Sequence, residues 1–289
     1  QLCQLVLADM LSSTLGFKLE VNCSLTNSRI RNIRNVTPRK ISNLVYEYKD
    51  SIEINTKRIL IPRLMFRVID LIPLLKYERG HYLSNKFFSE GGFNSKEISE
   101  NNNSTIYIKT DGTFSLIFND KFNEMWDGLY RVLQNVETIT SPDEFDVTIH
   151  IRGGDYKKKK TIHNTLPSQY YRRALESVSA STKKGTLKVL VCTDDVKHAT
   201  YIIKDLDHSF TFSKNCTPEQ DLRVMMESPR LIIANSSLSA VAAHMGELKA
   251  LKKQVIAPKD WFDGKKSLKN NGELGMLSKS TWQNIGIEK

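Results

Sequence analysis

DVTIHIRGGDY, residues 146–156, passes from an apolar run into a charged loop that contains two glycines. Residues 146–151 are rich in β-branched side chains, which predicts a short buried strand. The basic group that follows, Arg152, suggests an anion site, because an arginine is a forked and permanent cation suited to a phosphate. The lysines at residues 157–160 suggest a phosphate backbone or a membrane surface instead.

Downstream of this strand, apolar runs alternate with amphipathic segments. Further strands are predicted at residues 187–192, 209–212, 231–234 and 254–257, and helices at residues 168–181, 196–206, 219–227 and 238–251. Ser168 and Thr217 are the predicted N-caps, with Pro218 in the first turn of its helix. Strands that alternate with helices in this way are typical of a parallel, doubly wound α/β sheet.

The first half of the chain has a less regular pattern. It is predicted to contain a helix, a strand and a second helix, at residues 2–15, 17–21 and 122–136. Residues 137–144, with Ser141 and Pro142, are the best candidate for a linker. We therefore predict two domains, at residues 1–140 and 146–289.

The composition describes a folded and basic protein. With 289 residues, 40% of them hydrophobic, the chain fits one large domain or two ordinary ones, and the class of disordered proteins is excluded. The formal net charge of +10 favours anionic partners, namely nucleotides, nucleic acid or an acidic membrane face. Charge alone does not choose among these partners.

The cysteines and the hydropathy pattern indicate which kinds of site and which membrane segments to expect in the chain. The chain has four cysteines, Cys3, Cys23, Cys192 and Cys216. None of them belongs to a CxxC pair, so we expect neither a zinc site nor a redox motif. We expect all four to be free thiols. No apolar run reaches the roughly 18 residues of a membrane-spanning helix, and no signal peptide is apparent. The sequence begins with Gln1 and not with Met, which is compatible with a missing upstream segment.

Polar clusters follow three of the predicted strands. These clusters comprise His150, Arg152, Gly153, Gly154 and Asp155, then Thr193, Asp194 and Asp195, then Asn235, Ser236, Ser237 and Ser239. In doubly wound sheets, ligands bind outside the carboxyl ends of the strands. We therefore expect the three clusters to share one crevice.

Each cluster has a functional and a purely structural interpretation. Ser236 and Ser237 begin a predicted helix, where hydroxyl and free N–H groups bind phosphate oxygens, but either serine can simply cap the helix. Arg152 either holds a phosphate or forms a salt bridge with Asp155.

The same ambiguity applies to the remaining candidates. Asp194 and Asp195 could accept hydrogen bonds from a purine or ribose or hold a metal, or they could cap the following helix. His150 lies within a strand and is as consistent with a core histidine as with a functional one. Residues 157–160 have no interleaved aromatics, which favours a solvated loop over a nucleic-acid site.

Taken together, these clusters resemble the α-1,2-fucosyltransferases of glycosyltransferase family 11. HIRGGDY resembles the family's HxRRGDY motif, and TDD resembles its SDD strand end. Three other stretches resemble family blocks in order and spacing: QLCQLVLADMLSSTLGFKL at residues 1–19, DLRVMMESPRLIIANSSLSAVAA at residues 221–243 and VIAPKDWF at residues 255–262. The resemblance covers the whole chain and is strong from about residue 147 to residue 262.

The resemblance implies a GT-B architecture, in which two Rossmann-like domains face a cleft. It implies GDP-fucose as the donor substrate, bound mainly by the C-terminal domain, with no cofactor and no metal. It also implies transfer with inversion, usually to O2 of a galactose in a surface glycan.

The resemblance also assigns roles to individual residues. Arg152 would hold the pyrophosphate and neutralise the departing GDP, and Asp194 or Asp195 would recognise guanine. His150 would brace the donor, and Asp155 is a candidate base for the acceptor hydroxyl. The expected phosphate contacts come from one cluster, consisting of Asn235, Ser236, Ser237 and Ser239.

The sequence departs from the family pattern at several positions. Gly153 stands where the motif has its second arginine, and Ala240 and Val241 stand where the family has paired tryptophans. The family's opening Gly-Asn loop is not present before Gln1. The departures at positions 153, 240 and 241 favour an alternative, a non-catalytic member of the family that binds nucleotide or glycan.

The expected acceptor and cellular location follow from the resemblance and the net charge. We expect a galactose-containing acceptor, with lipid-linked glycans as candidates, in polysaccharide biosynthesis in the cytoplasm. A basic face could bring the protein to an anionic inner-membrane surface; its candidate residues are Arg58, Arg63 and Arg67. A nucleic-acid-binding α/β protein is the weakest alternative.

Overall fold

The chain forms two compact units, Gln1–Ile117 and Phe118–Lys289. The computed structural model describes residues 20–22, 53–55, 81–83, 106–108, 125–154, 156, 165–213, 216–251, 254–261 and 279–286. The division lies before the predicted linker at residues 137–144 because the segment preceding that linker is fastened to the second unit. Arg223 Nη1 donates hydrogen bonds to the backbone oxygens of Gln134, at 2.8 Å, and of Val136.

The described part of the first unit contains two pairs of parallel strands. β1 (Glu20–Asn22) pairs with β2 (Glu53–Asn55), and β3 (His81–Leu83) pairs with β4 (Ile106–Ile108). The strand predicted at residues 17–21 overlaps β1. The helix predicted at residues 2–15 and the basic residues 58, 63 and 67 lie outside the described residues.

The second unit alternates helices and strands, as the sequence predicts. Its helices are α1 (Met125–Gln134), a 3₁₀ turn (Pro142–Glu144), α2 (Ser168–Thr182), α3 (Val196–Ile203), α4 (Pro218–Glu227) and α5 (Ser237–Leu248). Its strands are β5 (Val147–Ile151), β6 (Lys188–Thr193), β7 (Ser209–Phe212), β8 (Arg230–Ile232), β9 (Gln254–Pro258) and β10 (Gln283–Ile285). None of the helices in the described part of the chain is long and apolar enough to cross a membrane.

The six strands described in this unit form one parallel sheet, in the order β10-β9-β8-β5-β6-β7. The predicted α/β class is confirmed. From β5 the chain first builds the sheet to one side through β6 and β7, and then crosses over to build the other side from β8. The order therefore reverses between β5 and β8, and such a switch point is where ligands bind in open α/β sheets.

The sheet is buried on both faces, as parallel sheets are. On one face, Val147, Ile149 and Ile151 pack in a single apolar cluster with residues of α2 and α3. On the other face, the Ser228 hydroxyl at the end of α4 bonds to the Thr148 hydroxyl, at 2.7 Å. β5 is therefore the central strand, and the loop that follows it is held in place from both sides.

Helix starts agree with the sequence where the capping pattern is complete. Thr217 accepts a hydrogen bond from the Gln220 amide, and the Gln220 side chain accepts one from the Thr217 amide. The prediction that Ser168 is an N-cap is wrong by one position. Pro167 is the extended residue before α2, and Ser168 is the first residue of the helix.

Several other elements also differ from the prediction. α3 ends at Ile203 and not at residue 206, and β8 covers Arg230–Ile232 and not residues 231–234. α5 ends at Leu248 and not at residue 251, because Ala250 adopts a left-handed conformation with φ of 55°. β10 was not predicted, since only Ile285 of its three residues is buried and such an edge strand has little apolar signal.

Candidate functional site

At the switch point, the loops after β5 and β6 are joined by a carboxylate. Asp194 Oδ2 lies 2.7 Å from Nη1 of Arg152. The other oxygen, Oδ1, accepts a hydrogen bond of 2.9 Å from the Gly153 amide. The first two predicted clusters therefore do meet, through the contacts of Asp194 with Arg152 and Gly153.

Both glycines of this loop are required by close contacts. A β-carbon at Gly153 would come within 2.8 Å of Cβ of Asp195 and 3.0 Å of Cδ2 of His198. Gly154 has a φ of 22°, and a β-carbon there would lie 2.2 Å from Oδ2 of Asp194. The loop can therefore wrap around the Asp194 carboxylate only because residues 153 and 154 have no side chains.

A second set of contacts joins the loops after β5, β8 and β9. The Arg152 guanidinium lies over the Tyr156 ring, 5.2 Å from its centroid. The Tyr156 hydroxyl donates a hydrogen bond of 3.2 Å to the backbone oxygen of Asn235. The Asn235 amide nitrogen in turn donates one of 3.1 Å to the backbone oxygen of Trp261. Tyr156 therefore links the first predicted cluster to the backbone of the third.

The three serines at the start of α5 differ in their hydrogen bonds and in their exposure. Ser236 is the N-cap residue, but its side chain makes no capping hydrogen bond. The Ser239 hydroxyl is buried and donates to backbone oxygens of Ala234 and Ser236, at 3.4 and 3.2 Å. Ser237 is exposed at the first helical position. The amide groups of a first helical turn have no partner within the helix, so this end of α5 suits an anion.

The two carboxylates of the TDD stretch have structural partners. Asp195 is the N-cap of α3 and accepts a hydrogen bond of 3.0 Å from the His198 amide. Its own amide donates to the Thr193 hydroxyl oxygen, at 3.1 Å. The capping alternative is thus observed for Asp195, whereas Asp194 binds Arg152 and the loop backbone.

His150 is buried in β5, with 3% of its surface exposed. Burial lowers its pKa to about 3, and the nearby Arg152 cation contributes to the shift. Its Nδ1 has no hydrogen-bond partner among the described residues. At neutral pH, His150 is therefore a neutral side chain behind the loop. Asp155, the candidate base, and the lysines at 157–160 lie outside the described residues.

The described residues do not suggest a metal centre. Within the described ranges, no group of three or more histidine, cysteine, aspartate or glutamate side chains could hold a metal ion. Neither Cys192, which is buried, nor Cys216, which is partly buried, forms a disulfide in the described part of the chain. A cavity of about 700 Å³ lies at the opposite, amino-terminal edge of the sheet, and its carboxylates, from Asp143, Glu144 and Glu227, make it unsuited to an anion.

Sequence reasoning assigned no role to Tyr156 or Trp261, although both lie in the quoted motifs. The only signal was their position, since Tyr156 ends HIRGGDY and Trp261 follows the strand predicted at residues 254–257. Their partners are distant in sequence: Tyr156 and Asn235 are 79 positions apart.

Residues 42–276 match the family model for glycosyl transferase family 11. No curated protein is significantly similar to the chain in sequence. Among solved structures, the chain is similar to POFUT1 in complex with GDP, at 10% identity and a TM-score of 0.36, covering 100% of this chain and 94% of that one. It is also similar to POFUT1 in complex with GDP-fucose, at 9% identity and a TM-score of 0.34, covering 86% and 90%.

Proposed function

Since the chain belongs to glycosyl transferase family 11, we propose that it is a fucosyltransferase that moves L-fucose from GDP-fucose to the 2-hydroxyl of a galactoside. The observation that supports the proposal is that the Arg152 guanidinium lies over the Tyr156 ring, while the Tyr156 hydroxyl bonds to Asn235, the residue before the N-cap of α5. A cation and a helix N-terminus, two groups suited to a diphosphate, are thus linked through one side chain. A GT-B arrangement, with the donor bound to the unit containing residues 118–289, is part of the proposal.

The diphosphate contacts follow from the geometry of the switch point. Arg152 carries a permanent positive charge and is 27% exposed, so a ligand can reach its guanidinium. The free amides of the first turn of α5, with the hydroxyl of Ser237 and that of Ser236, are the second contact. A hydrogen bond to a charged group contributes roughly 1.5–3 kcal/mol, so two such contacts are enough for micromolar binding together with the nucleoside.

The same groups support the reaction. The acceptor hydroxyl attacks C1 of fucose from the face opposite the phosphate, the bond from C1 to the β-phosphate oxygen breaks, and GDP leaves with the electron pair. Negative charge grows on the departing diphosphate, and a fixed cation and fixed amides stabilise it without having to reorganise. The acceptor proton passes to a base, for which Asp155 is the candidate. We propose that transfer proceeds with inversion and without a metal.

The acceptor and the setting are also part of the proposal. A galactose-containing surface glycan, free or lipid-linked, is the expected acceptor, and the formal charge of +10 favours an anionic membrane surface nearby. On this basis we propose a cytoplasmic protein that is peripheral to the inner membrane.

A second candidate function has its own support. Gly153 removes one cation from the motif, and the remaining Arg152 is already paired with Asp194. A chain with a neutralised arginine would keep the nucleotide and lose the chemistry, and it would then act as a non-catalytic binding subunit.

A transfer assay separates the two functions. The protein is incubated with GDP-fucose and either lactose or N-acetyllactosamine, with EDTA in one arm. GDP release is measured and the product linkage is determined by NMR. We expect galactoside-dependent GDP release, an α-1,2 linkage and no effect of EDTA. Arg152→Ala should abolish release, and Arg172→Ala, which removes an exposed arginine on α2, should not. GDP binding without any transfer would support the non-catalytic function.

A further inference from the structure

We propose that Asp194 and Tyr156 are positioning residues that fix the direction of the Arg152 guanidinium at the switch point. The inference deepens the proposed function and rests on it, since it concerns how the same arginine acts on the departing diphosphate. Neither residue is proposed to touch the sugar.

The Asp194 carboxylate fixes one side of the guanidinium. It contacts Nη1 at 2.7 Å with one oxygen and the Gly153 amide at 2.9 Å with the other. A carboxylate that bonds both the side chain and the adjacent backbone fixes the arginine relative to its own loop. The guanidinium has five N–H groups, and the contact with Asp194 is made through Nη1.

The Tyr156 ring fixes the plane of the guanidinium. Arg152 lies over the ring at 5.2 Å, within the range of a cation–π interaction. The Tyr156 hydroxyl bonds to the backbone oxygen of Asn235, one residue before the N-cap of α5. The ring is therefore attached to the element that carries the second phosphate contact. Through Tyr156, the cation and the start of α5 keep a fixed separation.

This arrangement predicts opposite effects on binding and on rate. The Asp194 carboxylate repels a diphosphate, so its removal should leave GDP binding unchanged or make it tighter. The same removal lets the guanidinium turn, and displacement of a catalytic contact by about 1 Å can cost on the order of 100-fold in rate. A guanine-binding carboxylate would behave differently, since its loss would weaken GDP binding.

The test compares variants by GDP calorimetry and by the rate of GDP release from GDP-fucose, with lactose as acceptor and without an acceptor. Asp194→Asn keeps the shape of the side chain and removes its charge. Tyr156→Leu removes the ring, whereas Tyr156→Phe keeps it and removes only the hydroxyl. The chain offers matched controls, because Tyr201 and Asp205 make equivalent contacts with Lys204 at 5.0 and 3.8 Å on an exposed surface. The control variants are Tyr201→Leu and Asp205→Asn.

We expect Asp194→Asn to lower kcat by about tenfold or more, with a GDP dissociation constant no weaker than that of the wild type. Tyr156→Leu should lower kcat further than Tyr156→Phe does, and both control variants should match the wild type. The inference is overturned if Asp194→Asn keeps its kcat, if its GDP binding weakens in step with the rate, or if the two Tyr156 variants are equally active. A wild-type protein that neither binds GDP nor releases it would instead overturn the proposed function itself.

Discussion

Gly153 lies so close to the first turn of α3 that a β-carbon on it would come within 2.8 Å of Cβ of Asp195. The second arginine of the resembled motif therefore has no place at this position, because Asp195 and His198 occupy the space that its side chain would need. The departure at position 153 is a packing feature as well as a lost charge. It follows that Gly153→Arg would disrupt the loop and would not restore a second cation.

The smallest substitution tests this contact. Gly153→Ala should lower the free energy of unfolding by about 1–3 kcal/mol, because an extra methyl group in a filled site forces its neighbours to move. It should also weaken GDP binding, since the loop carries Arg152. Chemical denaturation and calorimetry give the two values. Gly185→Ala is the matched control, since nothing lies within 4 Å of a β-carbon there. Equal stability of the two variants would contradict the account.

The two helix starts at Thr217 and Ser236 should respond in opposite ways to alanine. Thr217 belongs to a complete capping box, so Thr217→Ala should cost about 1 kcal/mol of stability and leave GDP binding unchanged. Ser236 makes no capping hydrogen bond, so Ser236→Ala should barely affect stability and should weaken GDP binding several-fold. Thermal unfolding and GDP titration of both variants test the pair. A Ser236→Ala variant that loses stability but keeps its GDP affinity would make Ser236 a plain cap.

Substitution of Tyr170 tests the packing and hydrogen bonding of the core beneath the site. Its hydroxyl is buried and donates to the backbone oxygens of Ile233 and Ile256, at 2.7 and 3.3 Å. Tyr170→Phe should lower the free energy of unfolding by about 1–3 kcal/mol, because the buried Ile233 carbonyl loses this donor, whereas the Ile256 carbonyl still accepts from the Ile233 amide. Tyr201→Phe, at a side chain that is 65% exposed, should change it by less than about 0.5 kcal/mol. Urea denaturation of both variants measures the difference.

Acid should destabilise the protein through its buried histidines. Burial lowers the pKa of His150 to about 3, with a smaller effect of the Arg152 cation. Burial likewise lowers the pKa of His244 to about 3, and the charge of Lys279 contributes. In the unfolded chain both side chains titrate near 6.5, so between about pH 6.5 and pH 3 the unfolded state binds protons that the folded state does not. Stability is therefore unaffected by these groups at higher pH and is lost as the pH falls.

The slope of stability against pH identifies the contribution of one histidine. Each fully buried neutral histidine contributes up to about 1.4 kcal/mol per pH unit in that window. His150→Gln cannot bind a proton, so its free energy of unfolding should fall less steeply than that of the wild type between pH 6 and pH 4. Urea denaturation at several pH values gives the two slopes. Equal slopes would mean that His150 is not buried in its neutral form.

The alternation of strands and helices in the second unit could be read from the sequence because its runs are long and strongly apolar. LKVLVC at residues 187–192 is an example, and β6 occupies nearly the same residues. The N-cap at Thr217 could also be predicted, since a capping box is a local pattern in which every partner lies within three positions. The exact position of Ser168 could not be predicted, because the residue before a helix and the first residue within it differ only in backbone conformation.

The contacts between the residues of the site could not be predicted from the sequence in the same way. That the polar clusters meet follows from strand order, which the α/β pattern suggests. That Arg152 pairs with Asp194, 42 positions away, depends on the path of a loop with two glycines, one of them at a positive φ. The contact between Tyr156 and Asn235 depends on the order of β5 and β8 in the sheet, and no local spacing encodes it.

The most direct test of the central claim is calorimetric titration of GDP into the wild-type chain and into Arg152→Ala, without added metal. The account predicts micromolar binding by the wild type and a loss of about tenfold to a hundredfold or more in the variant, the expected effect of removing one charge-assisted contact to a phosphate. Arg172→Ala should bind GDP as the wild type does. Equal GDP affinity of the wild type and Arg152→Ala, or no binding by the wild type, would contradict the placement of the donor at this edge of the sheet.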